Sequence, residues 1–182
     1  LPTDSRKLTR FTCCGKRCCL GCQNDVTKSK MPLELKNRCH QCRKPIPRTD
    51  KGQIEQLREW VDKGEAWAQQ MMAEWYYHGK HGLKQSYVMA RMLFEKAVAQ
   101  GDTNAMHDLA LLYHHGQGGV KQSFGKAIEL YTMAAEQGQV DAMCGLGLLY
   151  FEGQGVGQSN ELAREWWTKA ATERNEDAIN NL

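Results

Sequence analysis

The chain has 182 residues, of which 41% are hydrophobic, with 24 Lys and Arg against 21 Asp and Glu. That apolar fraction sustains a packed core, and the mixed charge excludes a polyelectrolyte tail. No apolar run approaches the ~20 residues of a membrane span, and Leu1–Lys7 lack the apolar centre of a signal peptide. The chain starts without Met and reads as a fragment of a longer protein.

Charge and cysteine are unevenly spread. Residues 1–50 hold 12 Lys and Arg against 4 acids, a formal +8, while residues 51–182 are a formal −5. Seven of the eight cysteines lie between Cys13 and Cys42, and all four prolines lie in the first fifty residues. Two units joined near Pro45–Asp50 are therefore expected.

In the first unit, Cys19-Leu20-Gly21-Cys22 and Cys39-His40-Gln41-Cys42 are two knuckles separated by 16 residues. Zinc takes four soft ligands in a tetrahedron, and two such knuckles supply them. An odd set of seven cysteines without a secretory signal argues against a disulfide framework and favours an intracellular compartment, cytoplasmic or nuclear. A redox CxxC would need a thioredoxin-like frame, which does not precede Cys19. The basic charge could suit nucleic acid, but Phe11 is the one aromatic nearby, so a solvated basic loop is the expected reading.

The run Cys13-Cys14-Gly15-Lys16-Arg17-Cys18-Cys19-Leu20-Gly21-Cys22, followed by Cys39-His40-Gln41-Cys42-Arg43-Lys44-Pro45, resembles the later part of a RING finger over residues 11–47. The family's upstream knuckle is missing, Lys16 stands where His is usual, and His40 replaces a Pro. By this resemblance a cross-brace puts Cys13, Cys14, Cys39 and Cys42 on one zinc, with Cys19 and Cys22 on another. A simple ribbon instead uses Cys19, Cys22, Cys39 and Cys42. The cross-brace is preferred because it gives the Cys13-Cys14 pair a role. Cys18 is then a spare thiol. The resemblance also places Arg43 where RING ligases carry a ubiquitin-contacting base.

Ile54, Leu57, Trp60 and Val61 make one apolar face, which predicts a capping helix over 53–63 ended by Gly64. Beyond it the sequence repeats. Gly64, Gly101 and Gly138 recur every 37 residues, as do Tyr76, Tyr113 and Tyr150. Ala68, Ala105, Ala142 and Ala178 recur at 37, 37 and 36. Each period reads as two helices. Gly79, Gly116 and Gly153 break the first. Ser86, Ser123 and Ser159 cap the second, since a hydroxyl accepts from the unpaired amides of the first turn. Small residues at Ala73, Ala110 and Gly147 let neighbouring helices approach closely. Units are expected at 64–100, 101–137 and 138–173, with a further one opening at 174–182.

The pattern running from Ala142 through Leu146-Gly147-Leu148-Leu149-Tyr150-Phe151-Glu152-Gly153-Gln154-Gly155-Val156 to Ala171 resembles the Sel1-like repeat, a relative of the tetratricopeptide repeat. This implies an all-α fold: a right-handed α-solenoid of helix-turn-helix repeats, preceded here by a small irregular zinc-binding unit. It also implies a protein-binding scaffold that takes peptide or helical segments. The alternative is a RING-type ubiquitin ligase, whose finger recruits a ubiquitin-conjugating enzyme while the repeats select substrate.

The remaining signals have plainer readings. His78, His81, His114 and His115 are expected as loop-facing polar residues. Gly116–Gly119 and Gly153–Gly157 follow helices and lack the ending of a phosphate loop. Cys144 is expected as a buried small hydrophobe, and Trp60, Trp67, Trp75, Trp166 and Trp167 as core, although an inner-face aromatic could grip a peptide. No catalytic constellation stands in the repeats.

Overall fold

The structure, a computed structural model, describes residues 49–173 and 175–182 together with the backbone of residues 8–10 and 17–19. The chain divides into two units, Leu1–Ala68 and Gln69–Leu182.

In the first unit, β1 (Leu8–Arg10) pairs antiparallel with β2 (Arg17–Cys19), with Thr9 opposite Cys18. Helix α1 runs Asp50–Asp62. It starts three residues before the expected position 53 because the Thr49 side chain caps it, accepting from Gly52 N at 3.2 Å. Leu57 is fully buried. Gly64 takes φ +81° and donates its N–H to Val61 O, ending the helix as expected. Trp60 and Trp67 lie 5.9 Å apart, and Lys63 Nζ sits 4.0 Å above the Trp60 ring.

Helix α2 (Ala66–His78) starts at the end of the first unit and continues into the second. The second unit then holds α3 (Tyr87–Val98), α4 (Thr103–His115), α5 (Phe124–Glu136), α6 (Val140–Glu152), α7 (Asn160–Thr172) and α8 (Glu176–Asn181). α2–α3, α4–α5 and α6–α7 are successive hairpins, so the 37-residue period is a structural period.

Each hairpin closes its own loop in the same way. Ser86, Ser123 and Ser159 donate their backbone N–H to Tyr76, Tyr113 and Tyr150 O at 2.8–2.9 Å. Their hydroxyls accept from Met89, Lys126 and Leu162 N, capping α3, α5 and α7. One residue earlier, the Nε2 of Gln85, Gln122 and Gln158 donates to Tyr77, His114 and Phe151 O at 2.9, 2.8 and 2.8 Å. These glutamines occupy the last carbonyls of the first helix, which have no partner within the helix. Gly116 takes φ +67°, and a Cβ there would lie 2.9 Å from Gln122 N, so both conformation and space require glycine.

The core is shared between hairpins. Met106 and Ala110 of α4, Ala127, Tyr131 and Ala134 of α5, and Ala142, Leu146 and Leu149 of α6 form one buried cluster. Ala163, Trp167 and Ala170 of α7 form the next, with Ala178 of α8. One hairpin cannot cover its own apolar face, so its neighbour does. Phe94, Tyr131 and Trp167 hold equivalent positions on the second helices, and all three are buried. A Cβ on Gly145 would touch the Tyr131 ring at 3.0 Å, and one on Gly147 would overlap the Trp167 indole. Glycine in mid-helix costs ~1 kcal/mol in propensity, here offset by an aromatic ring packed on the backbone.

Candidate protein-binding face

The first helices of the hairpins carry a stripe of side chains at the margin of the core, against which Leu111 and Cys144 are packed. Spacing of four and three residues along α2 aligns Gln70, Glu74 and Tyr77. The same register on α4 holds His107, Leu111 and His114, and on α6 Cys144, Leu148 and Phe151. None of these side chains is fully buried.

At the α2–α4 end the stripe is polar. Gln70 Nε2 donates to Asp108 Oδ2 at 3.2 Å, and His107 Nδ1 lies 3.1 Å from Asp108 Oδ1. Burial holds the Glu74 carboxyl above the usual carboxylate range, and the negative charge of Asp108 adds to this. Lys80 and the Gln70 hydrogen bond act the other way. Tyr77 packs edge-on against Tyr87 at 5.2 Å, and burial raises its hydroxyl pKa. Tyr131 approaches from below the stripe, its ring 5.7 Å from His107, with burial and the nearby Asp108 raising its hydroxyl in the same sense.

In the middle, His114 contacts the Phe124 ring edge-on at 5.4 Å and His115 at 4.7 Å. Burial pushes its pKa down, the adjacent His115 pushes it further, and Glu152 opposes both.

At the α6 end the stripe is apolar and open: Leu148 is 40% and Phe151 48% exposed. Phe151 leans on Trp167, with ring centroids 5.6 Å apart. Trp167 Nε1 donates to Cys144 O at 3.4 Å, which fixes the platform beneath Phe151. Cys144 Sγ donates to Asn175 Oδ1 at 3.3 Å, and Asn175 Nδ2 to Asp141 Oδ1 at 3.1 Å. Burial pushes the Cys144 thiol up to about 11, with Asp141 and Asp177 adding to it. It is a hydrogen-bonded thiol rather than a nucleophile.

Several sequence expectations find their place. Cys144 is half-buried rather than fully buried, and its sulfur is hydrogen-bonded to the buried Asn175. Trp67, Trp75 and Trp167 are buried, whereas Trp60 and Trp166 are half-exposed, each beneath a lysine. His81 stacks on Trp75 at 4.0 Å, and among the described residues no group of three His, Cys, Asp or Glu is arranged to hold a metal ion. After α4 the amide of Gln117 donates to Leu112 O, so it is unavailable to a phosphate. No helix among the described residues is long and apolar enough to cross a membrane. Cys13, Cys14, Cys22, Cys39, Cys42 and Arg43 lie outside the described residues, and of Cys19 the backbone alone is described, at the end of β2.

The aromatics on the open stripe are Tyr77 and Phe151 rather than a tryptophan. Leu148, Phe151 and Asp108 were not singled out from the sequence. Their signal is weak, since no residue type recurs through all three repeats at these positions: Glu74, Leu111 and Leu148; Tyr77, His114 and Phe151; Met71, Asp108 and Gly145.

The Sel1 repeat pattern matches residues 68–102, 103–139 and 140–175. Among solved structures, c5321, a protective antigen present in uropathogenic Escherichia coli strains and displaying an SLR fold, superposes with a TM-score of 0.69 at 29% identity, over 76% of this chain and 29% of that one. A Sel1 repeat protein from Oxalobacter formigenes superposes at 0.66 and 29% identity, over 72% of this chain and 53% of that one. Helicobacter pylori cysteine rich protein B superposes at 0.56 and 21% identity, over 73% and 94%. The chain thus spans 29% and 53% of the length of the first two. No curated protein matches it.

Proposed function

The chain belongs to the Sel1 repeat family, and on that premise we propose that its repeats bind a partner protein through the stripe on α2, α4 and α6. Sel1 repeat proteins are generally protein-interaction scaffolds. One observation carries the reading to this face: Leu148 and Phe151 stand open to solvent side by side, one helical turn apart, on a rigid base provided by Trp167. Exposed aromatic and aliphatic anchors on a preformed surface are what a binding hot spot requires. Binding would draw one group of side chains from each repeat, so specificity accumulates along the array.

A photo-crosslinking residue placed at Phe151 of the full chain should form adducts with partner proteins. The same residue at Leu162 on α7, also exposed, should not. Equal yields at the two positions would overturn the assignment of the face.

The cysteine-rich segment belongs to the same proposal as a structural zinc finger, resting on the spacing of the Cys19–Cys22 and Cys39–Cys42 knuckles. The purified chain should contain zinc, and chelation should increase amide exchange in residues 13–45 while exchange in α4–α7 stays unchanged. A metal-free chain with the same exchange pattern would remove the finger.

A further inference from the structure

Charge is segregated between the two sets of helices. The first helices of the repeats, α2, α4, α6 and the short α8, contain Glu74, Asp108, Asp141, Glu152, Glu176 and Asp177 and no Lys or Arg. The second helices are balanced: Arg91, Lys96, Lys126, Arg164 and Lys169 stand against five glutamates. Three of those cations are engaged within the fold. Arg91 reaches Gly118 O and Glu95, Lys126 lies over Tyr113, and Lys169 over Trp166. The helices that carry the open apolar side chains are therefore also the ones with acids and no Lys or Arg of their own, and near Glu74 the charge is relieved by Lys80 from the following loop.

The stripe has a direction as well as a sign. At one repeat position it reads Glu74, Leu111, Leu148, and at the next Tyr77, His114, Phe151. The α2–α4 end holds the two partly buried acids, Glu74 and Asp108, with Gln70 bridging towards Asp108, whereas Asp141 and Glu152 of α6 are exposed and hydrated. Exposed hydrocarbon dominates the α6 end. A lysine or arginine placed by Glu74 and Asp108 would gain charge-assisted hydrogen bonds from a partly desolvated carboxylate pair. A leucine or phenylalanine there would bury that pair without compensation. At Leu148 and Phe151 the preference is reversed.

Resting on the scaffold reading, we propose that this face recognises an extended segment with Lys or Arg at the end lying over α2 and α4, and bulky apolar side chains at the end lying over α6. Charge complementarity selects the segment and sets its orientation, and the Leu148–Phe151 platform supplies most of the affinity.

The test uses the full chain and three fluorescein-labelled synthetic peptides of equal length, read by anisotropy. One carries two Arg followed by Leu and Phe, the second replaces Arg by Glu, and the third replaces Leu and Phe by Ser. The first should bind best, about tenfold tighter than the second, and its affinity should fall as salt rises. Glu74→Gln should weaken the first peptide about fivefold and leave the second no weaker, or tighter through lost repulsion. Phe151→Ser should weaken both, with helical circular dichroism unchanged. If the Arg and Glu peptides bind alike and both need Phe151, the charge inference fails while the scaffold reading stands. If neither binds and crosslinking from Phe151 matches that from Leu162, both fail. If the chain sediments as a dimer that Phe151→Ser dissociates, a second copy covers the face and the proposal is overturned.

Discussion

The first and second helices of each hairpin share a length and a stack yet solve different problems. The second helices, α3, α5 and α7, project a large buried aromatic, Phe94, Tyr131 or Trp167, between buried alanines such as Ala90 and Ala97, Ala127 and Ala134, or Ala163 and Ala170. The first helices receive those rings on small residues, Gly145 under Tyr131 and Gly147 under Trp167. They keep a second side open, and on α6 that side is apolar. If the proposed face is right, stability and recognition are divided between the two helices of each hairpin. Changes in the second helices should unfold the array, whereas changes on the open stripe of the first should leave it folded and alter what it binds.

Trp167→Ala should give the largest effect, ~3–5 kcal/mol of lost stability in urea unfolding, since it empties the core between α6 and α7. Gly147→Ala alone should cost ~1–3 kcal/mol through overlap with the indole. In the Trp167→Ala background it should cost nothing or stabilise by up to ~1 kcal/mol, as helix propensity predicts. Additive losses would mean the ring and the glycine are not paired. Gly116→Val should cost ~1–3 kcal/mol, because a β-branched residue is strained at φ +67° and meets the Gln122 backbone. Ser123→Ala and Gln122→Ala should each cost ~1 kcal/mol, for the cap and for the bond to His114 O. Phe151→Ser should change stability by less than ~0.5 kcal/mol while weakening peptide binding read by anisotropy.

The smallest effect concerns pH. The folded-state pKa of Glu74 is raised by burial above 4.5. The folded chain therefore holds a proton that the unfolded chain releases first. Stability from this group is full below the unfolded value and declines as pH rises through the folded one. Glu74→Gln should flatten that decline; an unchanged pH profile would show that the carboxylate is well hydrated.

Much of the repeat was legible in sequence because its chemistry recurs at one spacing. Left-handed glycines, capping serines and paired alanines each answer a local backbone or packing demand, and such demands are identical in every copy. The start of α1 was less legible, since Thr49 caps it from outside the apolar stripe. Gln85, Gln122 and Gln158 were passed over because their targets lie seven or eight residues back across a loop, a distance without helical or strand periodicity. The open face was the hardest to read. α6 is apolar on nearly every side, with Met143, Leu146, Leu148, Leu149 and Phe151, so periodicity cannot say which side meets solvent. That choice is made by Trp167 arriving on Gly147, a contact twenty residues distant in the chain. The ligand arrangement proposed for the cysteines rests on the spacing of two knuckles and on the resemblance to a RING finger, and these cysteines fall outside the described side chains.

The paired Gln and Ser that shut every loop have an evolutionary consequence. Because each hairpin carries its own clasp, a gene segment encoding one of them can be duplicated or deleted in frame with every clasp intact, and what the new copy must still match is the core surface of its neighbours. Lengthening the array is thereby uncoupled from learning to fold, and the residues free to diverge after such a duplication are those at the positions of Glu74, Leu111 and Leu148.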